Sequence, residues 1–405
     1  MRTDYLSAQE AASRLGISLA TLYAYVSRGR IDSRPGADGR SREYRTEDVE
    51  QLIERRQAGR GAAQGAAHSL AWGLPVMQTR ISLIRPHGHY YRGQSALALA
   101  EAGATLEDAA RLLWDCGAHD PFSVAMPTRW PPVVAWLLRQ RGLPPLERTA
   151  AALPLLALDA AHSHGVAPVR RRESAAQLLR ETAALLCGRS PAAPPVHLQM
   201  ADSWRRDTPE LAELLRHALV LCADHELNAS AFATRVAAST GAGLHAAVGA
   251  GLAALSGPQH GGAVARAHAF IHSLLHERRT SERLRERLRR GDALPGLGHP
   301  LYAEGDPRAE ALLRALAATR PRPLAAVRIA KLVDTLLAEC GQQPNLDFAL
   351  AAIALAYGLG ADEALAVFAA GRMAGWLAHA LEQQDDGGLI RPRASYAGTL
   401  PERLG

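Results

Sequence analysis

Two histidines and one carboxylate stand in three short strings across the C-terminal half of this chain. They are Ser256-Gly257-Pro258-Gln259-His260-Gly261-Gly262-Ala263, Gly296-Leu297-Gly298-His299-Pro300 and Asn345-Leu346-Asp347-Phe348. These residue types can remove a proton beside a carbonyl. A carboxylate serves as the base, while imidazoles donate hydrogen bonds to the oxygens that gain negative charge as the carbon skeleton rearranges. The glycines after His260 let a ligand approach the backbone closely, and the long helix expected behind them puts unpaired N–H groups beside the ring. Glycine and proline around His299 read as a loop. Asp347 could also cap the helix that follows it.

The elements that must hold these residues read as helices. The chain has 405 residues, too many for one average domain, and 48% of them are apolar. Alanine and leucine are plentiful, aromatics make up 5%, and alternating runs of Val, Ile and Thr are scarce, so an all-α body is expected. Net charge is +6, too mild a surplus to imply nucleic acid by itself. Cys116, Cys187, Cys222 and Cys340 lie far apart without paired spacing, which suits buried thiols in a reducing cytosol better than disulfides or zinc. The start carries Arg2 and Asp4 rather than an apolar export segment, and Asp362, Glu363 and Arg372 interrupt the apolar run at 351–375. A soluble cytoplasmic protein is expected. His162 and His164, in a polar loop, read as surface residues, and neither a metal nor a redox cofactor is expected.

Residues 1–58 read as a separate unit. Ser7-Ala8-Gln9-Glu10 is a capping-box pattern, and Gly16 ends the helix it opens. A second helix over about 19–27 turns Leu22 and Val26 inward and leaves Thr21, Tyr23 and Tyr25 partly outward. An arginine-bearing wing follows, from Arg28 to Arg40, Arg42 and Arg45, and Thr46-Glu47-Asp48 opens a last helix. Two helices across a tight glycine turn point to helix-turn-helix, and the whole order is similar to the winged helix-turn-helix of the MerR and excisionase families. That resemblance makes Thr21, Tyr23, Arg28, Arg40 and Arg42 the candidates for touching DNA; the alternative is a packing or dimerisation module without DNA contact. The small residues of 59–67 read as a linker.

From Ser69 nearly to its end the chain resembles citrate synthase. The resemblance rests on Gly88-His89-Tyr90-Tyr91-Arg92-Gly93, on Asp224-His225-Glu226-Leu227-Asn228-Ala229-Ser230, on the three strings above, on Gly305-Asp306-Pro307-Arg308, on Gly371-Arg372-Met373-Ala374-Gly375-Trp376 and on Ile390-Arg391-Pro392-Arg393. It implies two helical domains closing over a cleft in a homodimer, residues 68–260 with 359–405 forming the large one and 261–358 the small one. Its implied reaction is a Claisen-type condensation of acetyl-CoA with oxaloacetate, followed by hydrolysis to citrate and CoA. Asp347 would be the base, His260 would hold the thioester oxygen and His299 the ketone of oxaloacetate. His225, Arg308 and Arg372 would bind oxaloacetate, as would Arg391 reaching into the neighbouring subunit's site. Arginine suits that task because its planar fork makes two parallel hydrogen bonds to one carboxylate. Ala231 and Ala303 stand where the family often has Thr and Lys. Two alternatives remain: a 2-methylcitrate synthase using propionyl-CoA, and a transcription regulator that senses a dicarboxylate or acyl-CoA through a synthase-like body.

Overall fold

Ser7 caps the helix Ala8–Leu15 as its spacing to Glu10 requires. The Ser7 N–H donates to Glu10 Oε2 at 2.9 Å, and the Glu10 N–H donates back to Ser7 Oγ at 3.3 Å. Gly16 closes the helix in the left-handed conformation, φ 61°, which a residue without Cβ adopts freely. The next helix, Leu19–Ser27, buries Leu22 completely and leaves Tyr23 52% exposed. Three short antiparallel strands, ordered Tyr5–Ser7, Arg42–Arg45, Ser33–Pro35 across their sheet, complete this unit around a core of Leu6, Ala11, Leu15, Leu22, Ile31 and Tyr44. Helix, turn, helix and strand pair therefore follow the winged order read from the sequence.

The computed structural model describes residues 5–27, 31–36, 41–46, 48–50, 52, 77–140, 142–158, 167–205, 208–394 and 398. Arg28, Arg40, the linker at 59–67, His162 and His164 lie outside these residues. The chain divides into two units, Met1–Gln78 with Pro392–Gly405, and Thr79–Arg391.

The second unit is predominantly helical. It starts with a hairpin, Ser82–Arg85 against Gly88–Tyr91, in which Ile84 faces His89, and the short strand Gln94–Ser95 follows. Its core element is the helix Ala361–Asp386, buried almost without interruption from Ala364 to Gln383. That helix is long and apolar enough to cross a membrane, but 94% of its apolar window is covered by the rest of the fold. It packs against the helices Pro168–Cys187, Pro209–Cys222, Ala229–Ser239 and Leu244–Leu255.

Small residues permit this density. A Cβ on Gly371 would stand 2.7 Å from Cys222 Cβ and 2.9 Å from Leu219 O, closer than packed atoms tolerate. The absent side chain lets the central helix touch the Pro209–Cys222 backbone, and the next residue, Arg372, then donates from Nε to Cys222 O at 2.9 Å. Gly371→Ala is expected to cost about 1–3 kcal/mol through overpacking. Urea unfolding measures it, and an unchanged midpoint would show that the two helices separate without penalty.

Candidate active site

Helix starts assemble this site. Asn228 caps Ala229–Ser239, its Oδ1 accepting the N–H groups of Ser230 and Ala231 at 3.1 Å each. His260 directly precedes Gly261, the first turn of Gly262–Leu275. Asp306 caps Pro307–Ala318, accepting the Arg308 N–H at 3.1 Å, and Asn345 caps Leu346–Ala356, accepting from Asp347 N at 3.1 Å and Phe348 N at 3.3 Å. The capping alternative for Asp347 is thereby corrected. Asn345 does that job two residues earlier, and the Asp347 carboxylate is left for other work.

Asp306 joins two of these helices. Besides its capping bond it accepts from Arg308 Nε at 2.9 Å, from Arg308 Nη2 at 2.8 Å and, across to the other helix, from Leu346 N at 3.0 Å. Burial works against the charge of Arg308, but Asp306 outweighs it and the guanidinium pKa rises. This pairing uses the Nε/Nη2 edge of the fork, so the Nη1 side is the edge for any further carboxylate.

The histidines gather beside this pair. His225 Nε2 lies 2.9 Å from the Tyr302 hydroxyl, and its ring stands edge-on to His299 at 5.4 Å between centroids. His299 and Arg308 both border the Tyr302 ring, with centroid distances of 4.9 Å and 5.4 Å. The Leu301 N–H donates to His299 Nδ1 at 3.1 Å, so in the neutral ring the hydrogen resides on Nε2. Burial, then Arg308, lowers the His299 pKa to about 4, and the same two influences hold His225 well below its usual value. Both rings are neutral near pH 7.

His260 is reached through Ser230, whose hydroxyl oxygen lies 2.8 Å from His260 Nε2 and 2.7 Å from Asn228 Oδ1. Phe368 stands edge-on to the His260 ring at 5.9 Å, and Arg372 lies over Phe368 at 4.8 Å. Burial, with Arg372 adding to it, brings His260 to about 4. Asp347 is pushed the other way. Burial raises its carboxyl to about 6, with Asp306 reinforcing the rise and Arg308, Arg266 and Arg372 opposing it. The fold therefore brings His225, His260, His299, Arg308, Asp347 and Arg372 into one neighbourhood. Arg391 is exposed and follows the central helix in the chain.

A buried polar chain backs the site, and sequence reasoning missed it. Asp224, next to His225, accepts from the Ser82 hydroxyl and from the Glu226 N–H at 3.0 Å, and it lies 3.2 Å from His379 on the central helix, both side chains fully buried. Arg235 continues the chain, 3.3 Å from His379 Nδ1 and paired to Glu382 at 2.6 Å. Tyr302, Ser230 and Asp306 were also passed over as functional groups. Of these, Asp306 had a legible signal, because Asp-Pro before Arg is a helix-start pattern. In the N-terminal unit Thr21 contacts Ser18 at 2.9 Å, while Tyr23 and Arg42 are exposed.

Comparison with known proteins supplies the context. The family model for the citrate synthase C-terminal domain matches residues 69–393, and a helix-turn-helix domain model matches residues 5–57. The chain is 36% identical over 197 residues to citrate synthase 2 of Bacillus subtilis (strain 168), covering 47% of this chain and 52% of that protein. It is 30% identical over 190 residues to the 2-methylcitrate synthase of Shewanella oneidensis, covering 46% of this chain and 50% of that one. It thus spans about half the length of the curated relatives it matches. Among solved structures, the fold is similar to citrate synthase from Thermotoga maritima MSB8, with TM-score 0.64 and 23% identity, covering 82% of this chain and 96% of the other. It is also similar, with TM-score 0.65, 23% identity and the same coverages, to a Thermoplasma acidophilum citrate synthase described as a ternary complex with carboxymethyl coenzyme A and oxaloacetate.

Proposed function

The chain belongs to the citrate synthase family, and on that premise we propose that its helical body condenses an acyl-CoA with oxaloacetate by Claisen chemistry. The observation that carries this reading is the position of Asp347, a carboxyl lifted to about 6 among guanidinium groups and neutral imidazoles. Near pH 7 such a group is a carboxylate with more proton affinity than an exposed one, which suits a general base. Asp347 takes a proton from the carbon beside the thioester. His260 donates to the thioester oxygen as it becomes an enolate oxygen. For that, the ring hydrogen must sit on Nδ1, so Ser230 must donate to Nε2; Asn228 Oδ1, already met by two backbone N–H groups, can release the serine hydrogen.

The enolate carbon then attacks the ketone of oxaloacetate, and His299 Nε2–H donates to the oxygen that becomes the alcohol. His225, the Nη1 edge of Arg308 and the Nη groups of Arg372 hold the two carboxylates, joined by Arg391 of a second subunit in a homodimer. Burying a dianion requires charge-matched partners of this kind. Water cleaves the thioester and CoA leaves. Acetyl-CoA is the proposed acyl donor. Propionyl-CoA differs by one methylene, worth only about 1–3 kcal/mol in a pocket, and its product would be 2-methylcitrate. Thiol release by the purified protein from oxaloacetate with each acyl-CoA tests the reading, and no release with either sinks it.

The helix-turn-helix match and the exposure of Tyr23 and Arg42 favour a second role, duplex DNA binding by the N-terminal unit. Binding measured across salt concentrations tests it, and affinity indifferent to salt would argue against phosphate contacts.

A further inference from the structure

Tyr302 closes a turn with His299, its N–H donating to His299 O at 3.1 Å. Its side chain is 2% exposed, and among the described residues its hydroxyl has one partner, His225 Nε2 at 2.9 Å. A single hydrogen lies between these two atoms, and two arguments place it on the tyrosine. A phenol is a far stronger acid than a neutral imidazole N–H, and an imidazole lone pair is the better acceptor, so the stronger of the two possible bonds runs from Tyr302 to His225. Run the other way, it would leave the phenol hydrogen buried without an acceptor, which folded proteins avoid. Tyr302 therefore donates and Nε2 accepts, so the one hydrogen of a neutral His225 ring resides on Nδ1.

Nδ1 is also the open side of that ring. His225 keeps 8% of its surface exposed, its Nδ1 meets no group among the described residues, and unlike the Nδ1 of His89 it is not sealed from the outside. The ring stands edge-on to His299, and burial together with the charges of Arg308 and Arg372 keeps it neutral near pH 7. A neutral histidine holds a carboxylate only through its single N–H. Its tautomer thus decides whether it attracts an anion or turns a lone pair toward it. The inference rests on the assignment of this space to the diacid.

We propose that Tyr302 is a positioning residue for diacid binding: its hydroxyl hydrogen holds the His225 ring in the Nδ1–H form, and that N–H donates to a carboxylate of oxaloacetate. Tyr302 acts through His225 and touches neither reactant. Its ring also borders His299 at 4.9 Å and Arg308 at 5.4 Å between centres, contacts that a phenylalanine ring keeps. The hydroxyl can therefore be removed while the packing stays.

Nitrogen NMR of the histidine-labelled full chain reads the tautomer directly, with His225→Gln identifying the signals. A protonated Nδ1 and a bare Nε2 are expected in His225, and a protonated Nε2 overturns the inference. Tyr302→Phe supplies the functional readout. The KM and the calorimetric dissociation constant for oxaloacetate are expected to rise about threefold to tenfold, the size of one neutral hydrogen bond, while kcat and the KM for whichever acyl-CoA releases thiol stay within about twofold. An unchanged affinity for oxaloacetate, or equal losses for both substrates, overturns the proposal. If the unaltered chain binds no oxaloacetate, the diacid assignment falls and the inference with it; a protonated Nε2 in a chain that binds oxaloacetate removes the inference alone. Should Tyr302→Phe unfold, the tautomer of the unaltered chain decides the matter.

Discussion

Asp347→Asn is expected to reduce thiol release about 10³-fold or more in kcat, while leaving the protein at least as stable as before. The two halves of this result have one cause. Burial raises the Asp347 carboxyl to about 6, which means that the folded chain holds this proton more tightly than the unfolded chain does. Above that pH the buried charge opposes folding, and the opposition fades as the pH falls through about 6. An uncharged amide of the same shape removes the opposition, worth on the order of 2–3 kcal/mol at pH 8, together with the base. Activity runs in the opposite direction. It needs the unprotonated carboxylate, so kcat/KM of the unaltered chain falls as the pH drops through about 6, and this acid limb traces to Asp347. Steady-state rates from pH 5 to 8 and urea unfolding at pH 8 check the two halves. An Asp347→Asn protein that still turns over at a tenth of the normal rate would falsify the assignment of the base.

Asp224→Ala should be the most destabilising single change in the buried polar chain, costing about 3–5 kcal/mol because it strands His379 and the Ser82 hydroxyl without their partner. Burial alone would raise the Asp224 pKa, but His379, Arg372 and the Ser82 hydrogen bond outweigh it and the value falls below that of an ordinary aspartate. Its contribution is accordingly complete above the unfolded carboxylate pKa of 3.8 and disappears as the pH falls through the lower folded value. The same change should weaken oxaloacetate binding, since Asp224 fixes the turn that presents His225. Here too urea unfolding supplies the number, with calorimetry for the ligand. A wild-type midpoint in Asp224→Ala would mean that the polar chain contributes no stability.

Much of this was legible in the sequence because the signals were local. Ser7 and Glu10 announced their capping box three residues apart, Gly16 announced its turn, and the His260, His299 and Asp347 strings each lie at a helix start or in a loop that the chain itself specifies. What escaped were pairings across long sequence distances. Nothing near Asp224 names His379, 155 positions along the chain and on another helix. Ser230 read as part of a binding string, and only the fold shows its hydroxyl against His260. Asp347 had a second reading as a cap beside that of base, and the bond from its own N–H to Asn345 was needed to set the cap aside. His89 gave no signal because an inward strand position ordinarily takes an apolar side chain, and the sequence does not say that it faces His225.

The single carboxylate of Asp306 grips Arg308 on one helix and the Leu346 N–H at the head of another. Arg308 and the helix that carries Asp347, the guanidinium and the carboxylate to which the proposed reaction gives its two reactants, are thereby bolted to a common bracket. The two groups are held as one piece, so the gap between them is set in advance by the protein and does not have to be found anew each time a pair of molecules arrives.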